Sequence, residues 1–359
     1  MKANGRNNIM DDNTKQKLTN QDKVTQDIKG NPTKYNGAID CFKGILTLQM
    51  ILAHCFQFYS ILESEKSWHF LTDYINLTTF SGFVFAFGYV GYTAYIQSES
   101  KTGIKKMIKN ILRLVTAFYI SSFAYVIFIE GMFFREDKIL DIILIKRLAG
   151  WSEFLIAFAG VLLITIPIRK ILNSNLKYLI ILGCISLISC SLPSKEIPAI
   201  LGIFIGGHGN AYYPVVPYYL YFIIGIYFVR KQVKFNPFVL VTAMMGTGYT
   251  VYSYIFISKG WPSRFPLSLA WLTGAMLFLY GYYLLSYVLE KKKYFNWLAV
   301  IGKYSLYYLL FSNLIIFSLK RSVFYKLSVT YSLGLFVVIL FIIWYTLGLI
   351  RGRRTVTAK

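Results

Sequence analysis

Ten apolar runs separated by short polar segments organise the chain from residue 38 onward. They lie at roughly 38–61, 69–96, 109–129, 148–168, 177–193, 214–229, 237–258, 266–288, 295–318 and 328–350. A helix needs about 20 apolar residues to cross the hydrocarbon core of a bilayer. Each run therefore predicts a membrane helix, with 177–193 and 214–229 at the short limit. Residues 197–213, IPAILGIFIGGHGNAYY, are also apolar but begin and end on the same predicted side. That length suits a re-entrant or interfacial element better than a span. If the segment crossed, every later loop would change sides. Residues 1–36 have no aromatic before Tyr35 and few large aliphatics, which predicts a disordered tail. The tail has no apolar stretch of the signal-peptide kind, so the first run would itself direct insertion. No internal repeat is visible.

The predicted fold is an all-α, polytopic membrane bundle of about ten transmembrane helices. A tail over 1–36 precedes a transmembrane domain over 37–350, and a short basic tail over 351–359 follows it. Composition agrees with a bilayer. Hydrophobic residues make up 56% of the 359 and charged residues only 15%, where soluble domains carry nearer a quarter. A soluble enzyme, a disordered chain and a disulfide-stapled secreted domain are excluded.

The net charge of +22 suggests nucleic acid until its distribution is considered. Basic residues cluster in the tail and in alternate loops near 97–110, 169–177, 230–236, 290–294 and 351–359, which together hold 24 Lys and Arg against 11 in the opposite loops. That asymmetry is the positive-inside pattern, and it predicts both termini in the cytoplasm and no nucleic-acid partner. Cys41, Cys55, Cys184 and Cys190 lie in or beside apolar runs with no C-x-x-C spacing, so neither a disulfide framework nor a zinc site is expected. Three dispersed histidines, unclustered carboxylates and no P-loop or G-x-G-x-x-G predict no metal and no nucleotide-binding domain.

Ionisable groups inside a span are costly and point to function. The first run, IDCFKGILTLQMILAHCFQF, holds Asp40, Lys43 and His54. Eleven residues separate Lys43 from His54, which on a helix is three turns plus about 20°, so both project from one face about 16 Å apart. Asp40, three residues before Lys43, can pair with it. A cation at the inner interface can hold a phosphate-bearing donor, and a neutral imidazole deeper in can act as base or nucleophile. The plainer alternatives are a snorkelling lysine and a buried hydrogen-bonding histidine.

Further segments extend this pattern along the chain. Phe80-Ser81-Gly82-Phe83 lies in the second run, and KKMIKNILRLVTAFY with Arg113 opens the third. Pro217-Tyr218-Tyr219, with Phe222 and Gly225, follows later, then Arg264-Phe265-Pro266-x-Ser268 and Gly302-Lys303-Tyr304-Ser305-Leu306. Together with Lys43-x10-His54 and the adjacent Gly44, these resemble the membrane acyltransferase superfamily, both the acyltransferase-3 proteins and the heparan-α-glucosaminide N-acetyltransferase-like branch. The resemblance covers residues 38 to about 318. It departs at one place. Many acyltransferase-3 members carry a His after the Gly-x-x-Ser helix start, where this chain reads Leu310-Phe311-Ser312-Asn313.

The resemblance implies transfer of an acyl group, most simply acetyl, from cytoplasmic acyl-CoA to an extracytoplasmic glycan or lipid-linked sugar. Acyl-CoA would be a substrate rather than a bound cofactor. His54 would be catalytic, Lys43 and Arg113 would contact the donor, and Asp40 and Ser81 would support them. Arg113 also fits an ordinary interfacial anchor. On the acceptor side, His208 and Asn210 stand in the glycine-dense GGHGN before a tyrosine-rich stretch, and Glu153 follows Trp151 and Ser152. These three could contact a polar acceptor, although a flexible loop above an aromatic belt is the favoured reading of His208 and Asn210. A secondary transporter or lipid-glycan flippase is the competing function, since such proteins also keep intramembrane charges. Membrane lipids are expected partners, and a bacterial plasma membrane is the expected location.

Overall fold

The computed structural model describes residues 36–61, 66–98, 100–131, 136–192, 199–206, 213–322 and 326–356. The predicted tail over 1–36 thus lies outside the described residues except for Asn36, as do His208 and Asn210. Among the described residues every regular element is helical, apart from one isolated bridge between Ser60 and Leu327.

All ten apolar runs are helical. They correspond to α1 (Gly37–Tyr59), α2 (Lys66–Gly91, continued by a π turn over Tyr92–Ile96), α3 (Lys101–Phe128), then, after a short α4 (Glu136–Ile143), α5 (Glu153–Asn173) and α6 (Leu176–Ser189). A helix of about two turns, α7 (Ala199–Ile205), lies in the ambiguous 197–213 segment. There follow α8 (Val215–Lys231), α9 (Pro237–Tyr252, continued by a π turn over Ser253–Ile257), α10 (Leu269–Gly274) and α11 (Met276–Glu290). The chain ends with α12 (Asn296–Lys303), α13 (Ser305–Ser322) and α14 (Val329–Val356), so most of the expected C-terminal tail is helical.

Six of these segments are long and apolar enough to cross a membrane: α1, α3, α5, α9 with its π turn, α10–α11 together, and α14 through Ile350. A seventh arises if α12 and α13 count as one span bent by 78°. The remaining runs form helices too, but α6 has 14 residues and α8 has 17, while α2, at 26, is interrupted by polar residues such as Asp73, Asn76 and Thr78. The 295–318 run is therefore not the straight helix its hydropathy suggests. On α9 and α14 only 22% and 17% of the apolar window is buried, and Phe238, Met245, Phe341 and Trp344 are exposed there. Apolar surface of that extent is stable against lipid and not against water. The chain is an integral membrane protein.

Helix α1 sits at the centre, packed by α2, α11, α12, α13 and α14. Its first turns carry the short α12 across them, and the crossing is close because neither helix has a side chain at the contact. A Cβ at Gly302 would fall inside the Asp40 carbonyl, and one at Gly44 inside the Leu298 carbonyl. Small residues permit such approach in a membrane. The 78° bend at Tyr304 then redirects the chain into α13, which also packs on α1. We expect Gly302→Val to force the two helices apart at a cost on the order of 1–3 kcal/mol. A clear drop in the apparent melting temperature of purified protein would show it, and an unchanged melt would contradict the close crossing.

Candidate active site

His54 lies about one and a half turns before the end of α1 and is 6% exposed. Its Nδ1 is 3.1 Å from Oδ1 of Asn313 on α13. An amide oxygen only accepts, so the neutral ring donates from Nδ1 and keeps its lone pair on Nε2. Asn313 in turn donates from Nδ2 to Ser121 Oγ on α3, at 3.2 Å. Both partners are buried. Three helices thus converge on one hydrogen-bonded chain that fixes the tautomer and plane of the imidazole, the arrangement by which a base is oriented in other catalytic sites. Asn313 occupies the segment where the sequence departs from the acyltransferase-3 pattern. It is the site residue that sequence reasoning missed.

The His54 ring also meets Trp151 in a T-shaped contact with centroids 4.8 Å apart. Trp151 owes this position to backbone. Gly150 and Trp151 are consecutive residues at positive φ, 67° and 60°. A Cβ at Gly150 would overlap the Tyr125 side chain, so no other residue fits there. Left-handed backbone at a large aromatic is strained, and such strain concentrates at functional sites. The loop is held from below by Ser152, which donates to Ala149 O at 2.7 Å and lies 3.0 Å from Ser122 Oγ on α3.

His54 opens on a cavity of about 480 Å³. Its walls are the end of α1, the middle of α2, the end of α3, the start of α5, and the loops bearing Trp151, Tyr213 and Arg264. Its polar lining includes Gln57, Asn76, Glu130, Arg147, Glu153 and Arg264. Arg147 and Glu130 form an ion pair at 2.5 Å. Arg264 donates to the Tyr213 hydroxyl and stacks over the Tyr213 and Phe265 rings at 4.9 and 4.6 Å. Burial pushes the Tyr213 hydroxyl above its ordinary range, so it remains protonated. Glu153, predicted on the acceptor side, lines this cavity.

The other predicted residues lie elsewhere. Lys43 pairs with Asp40 at 2.6 Å, its side chain 19% exposed, at the opposite end of α1. Arg113 is exposed on α3, with its guanidinium 4.8 Å over the ring of Tyr307. Counting along the parallel helices from the His54–Asn313–Ser121 level, Arg113 lies about 12 Å below Ser121 and Lys43 about 16 Å below His54. The two cations therefore share a level of the bundle but do not line the His54 cavity. Ser81 is buried and interacts with the hydroxyl of Tyr221, while its neighbours Phe80 and Phe83 face the cavity. No cluster of three or more His, Cys, Asp or Glu that could hold a metal occurs among the described residues.

The chain matches no curated protein and no solved structure. Residues 36–248, more than half of the chain and the part that carries Lys43, His54, Arg113 and Glu153, match the catalytic domain of heparan-alpha-glucosaminide N-acetyltransferase, and the protein belongs to that family of membrane acetyltransferases.

Proposed function

We propose that this protein transfers an acetyl group from acetyl-CoA, bound at the Lys43 end of the bundle, to a glycan or lipid-linked sugar held in the cavity at the His54 end. The observation that carries this is the His54–Asn313–Ser121 chain, which leaves Nε2 unprotonated on a residue that lines a cavity with several polar walls. In direct transfer, Nε2 takes the proton of the acceptor hydroxyl or amine as that group attacks the thioester carbonyl. The C–S bond breaks, and CoA leaves as a thiolate that recovers the proton from the imidazolium. The same lone pair also serves a two-step route, in which it attacks the thioester carbonyl and expels CoA as a thiolate, and the acceptor then displaces the acetyl group from the ring and gives up its proton to that thiolate. In both routes the Asn313 carbonyl accepts from Nδ1 and stabilises positive charge on the ring.

The donor's phosphates fit the opposite end. Lys43, held in place by Asp40, and Arg113 present cations at one level there, as an anionic nucleotide head requires. The thioester arm would then have to reach along α1 towards His54. The positive-inside asymmetry assigns the Lys43 end, and with it both termini, to the cytoplasm. The remaining helical runs, α2, α6 and α8, would bring the number of crossings to about ten.

Lys43→Ala should raise the donor KM roughly tenfold while kcat changes little, because a charge-assisted contact to bound phosphate is lost before the chemical step. Lys43→Arg should recover most of that loss. Steady-state kinetics with acetyl-CoA as the varied substrate checks both, and an unchanged donor KM in Lys43→Ala would remove Lys43 from the donor site.

A further inference from the structure

The bend at Tyr304 makes a corner at the Lys43 end of the bundle. Lys303 is the last residue of α12, and Tyr307 stands in the first turn of α13. The end of α12 meets α1 at the turn that bears Lys43, since a Cβ at Gly302 would collide with the Asp40 carbonyl and the Gly44 backbone nitrogen. Lys303, the next residue, therefore springs from the level of Lys43. Tyr307 lies six residues before Asn313, about 9 Å of helix towards the same end.

From this corner a row of charge and ring runs across to α3. The Lys303 ammonium is 5.9 Å from the centre of the Tyr304 ring. That ring is 6.5 Å from the ring of Tyr307, and the Arg113 guanidinium lies 4.8 Å over Tyr307. Lys303, Tyr307 and Arg113 are exposed, and Tyr304 is partly buried. None of the four lines the His54 cavity. The sequence is thus cation, ring, ring, cation, carried by three helices.

The charge balance of a CoA donor asks for more than Lys43 and Arg113. Coenzyme A ends in an adenosine with a 3′-phosphate on its ribose and a pyrophosphate on its 5′ side. Lys43 is already paired with Asp40 at 2.6 Å, and Glu290 stands against Gly37 at the start of α1. Lys303 supplies a further cation at that level. A basic loop that only anchors the helix ends needs charge and no rings. A nucleotide uses both, because its base stacks on an aromatic surface while its phosphates take cations.

We propose that Lys303, Tyr304, Tyr307 and Arg113 form the subsite for the adenine nucleotide of the donor, with the base stacked on the tyrosines and the phosphates at the flanking cations. The inference rests on acetyl-CoA being the donor at the Lys43 end and adds to that reading the groups that recognise its base. An anionic lipid headgroup offers phosphate without a base, so the two sources of phosphate are separable by competition.

The test is binding of radiolabelled adenosine 3′,5′-bisphosphate to the purified full-length protein in detergent, with unlabelled pyrophosphate and dioctanoyl phosphatidylglycerol as competitors. Wild type should bind saturably, and each competitor should act at least roughly tenfold more weakly than unlabelled adenosine 3′,5′-bisphosphate, because neither has a base to stack. Tyr307→Ala should weaken binding about tenfold, whereas Tyr307→Phe, which keeps the ring, should bind within about twofold of wild type. Lys303→Gln should weaken binding roughly tenfold through loss of a charged phosphate contact. In kinetics Tyr307→Ala should raise the acetyl-CoA KM and leave kcat within about twofold, a split that a packing defect would not give. Tyr307→Leu replaces Tyr307→Ala if the alanine variant does not fold. Absence of saturable binding, equal competition by pyrophosphate or by the lipid, wild-type binding in a folded Tyr307→Ala or Lys303→Gln protein, or an equal loss in Tyr307→Phe would overturn the proposal. Acetyl-CoA consumption by the same wild-type preparation reports separately on acetyl transfer, so consumption without nucleotide binding defeats this inference and leaves the enzymatic one standing.

Discussion

His54→Ala should leave a protein that inserts, purifies and melts close to wild type but transfers acetyl at a rate reduced by about 10³ or more. General base catalysis alone contributes on the order of 10²–10⁴, and a nucleophilic role would add to the loss. Folding should survive because the imidazole makes one polar contact, to Asn313, and one ring contact, to Trp151, at the margin of an existing cavity. The helix itself is held elsewhere, by α2, α11, α12, α13 and α14. Transfer assays paired with thermal melts separate the two effects. Turnover within a few-fold of wild type in a folded His54→Ala protein would remove His54 from the mechanism.

Asn313→Leu should produce the second largest effect. The substitution leaves the His54 Nδ1–H facing a hydrocarbon side chain, so the ring loses the contact that selects its tautomer and supports its positive charge. We expect kcat to fall roughly 10- to 100-fold, on the scale of losing one hydrogen bond to a charged group, with the donor KM unchanged because Lys43 and Arg113 lie a dozen or more ångströms away. Asn313→Asp keeps an acceptor oxygen at the same place and should recover part of the rate. That rescue distinguishes positioning of the ring from packing of α13. A fall in Asn313→Leu that Asn313→Asp does not relieve would point to packing alone.

The helices and the membrane setting were legible in the sequence because both depend on local hydropathy. Every apolar run is a helix, and the Asp40–Lys43 pair follows from three-residue spacing on α1. Features set by tertiary contact were less visible. The 295–318 run reads as one apolar segment, yet it breaks at Tyr304 into two helices bent by 78°, with Gly302 and Gly44 letting α12 pack closely on α1. Asn313 lies 259 residues from His54, and no spacing rule connects them. Its one signal was an amide side chain within an apolar run, which in a membrane implies a partner. Trp151 stood in the sequence as a neighbour of Glu153, and only the positive φ angles at Gly150 and Trp151 bring its ring to His54. Arg264 belonged to a loop motif, and its half-buried place in the cavity wall, stacked over Tyr213 and Phe265, emerges only from tertiary packing.

The most direct test of the central claim is release of free CoA from radiolabelled acetyl-CoA by purified protein in vesicles, measured with and without a cell-envelope glycan and lipid extract, beside His54→Ala. We expect release that the extract stimulates, label appearing in the extract, and loss of both in His54→Ala. No CoA release by folded wild-type protein, with acetyl-CoA or with longer acyl-CoAs, or equal release by His54→Ala, would contradict it.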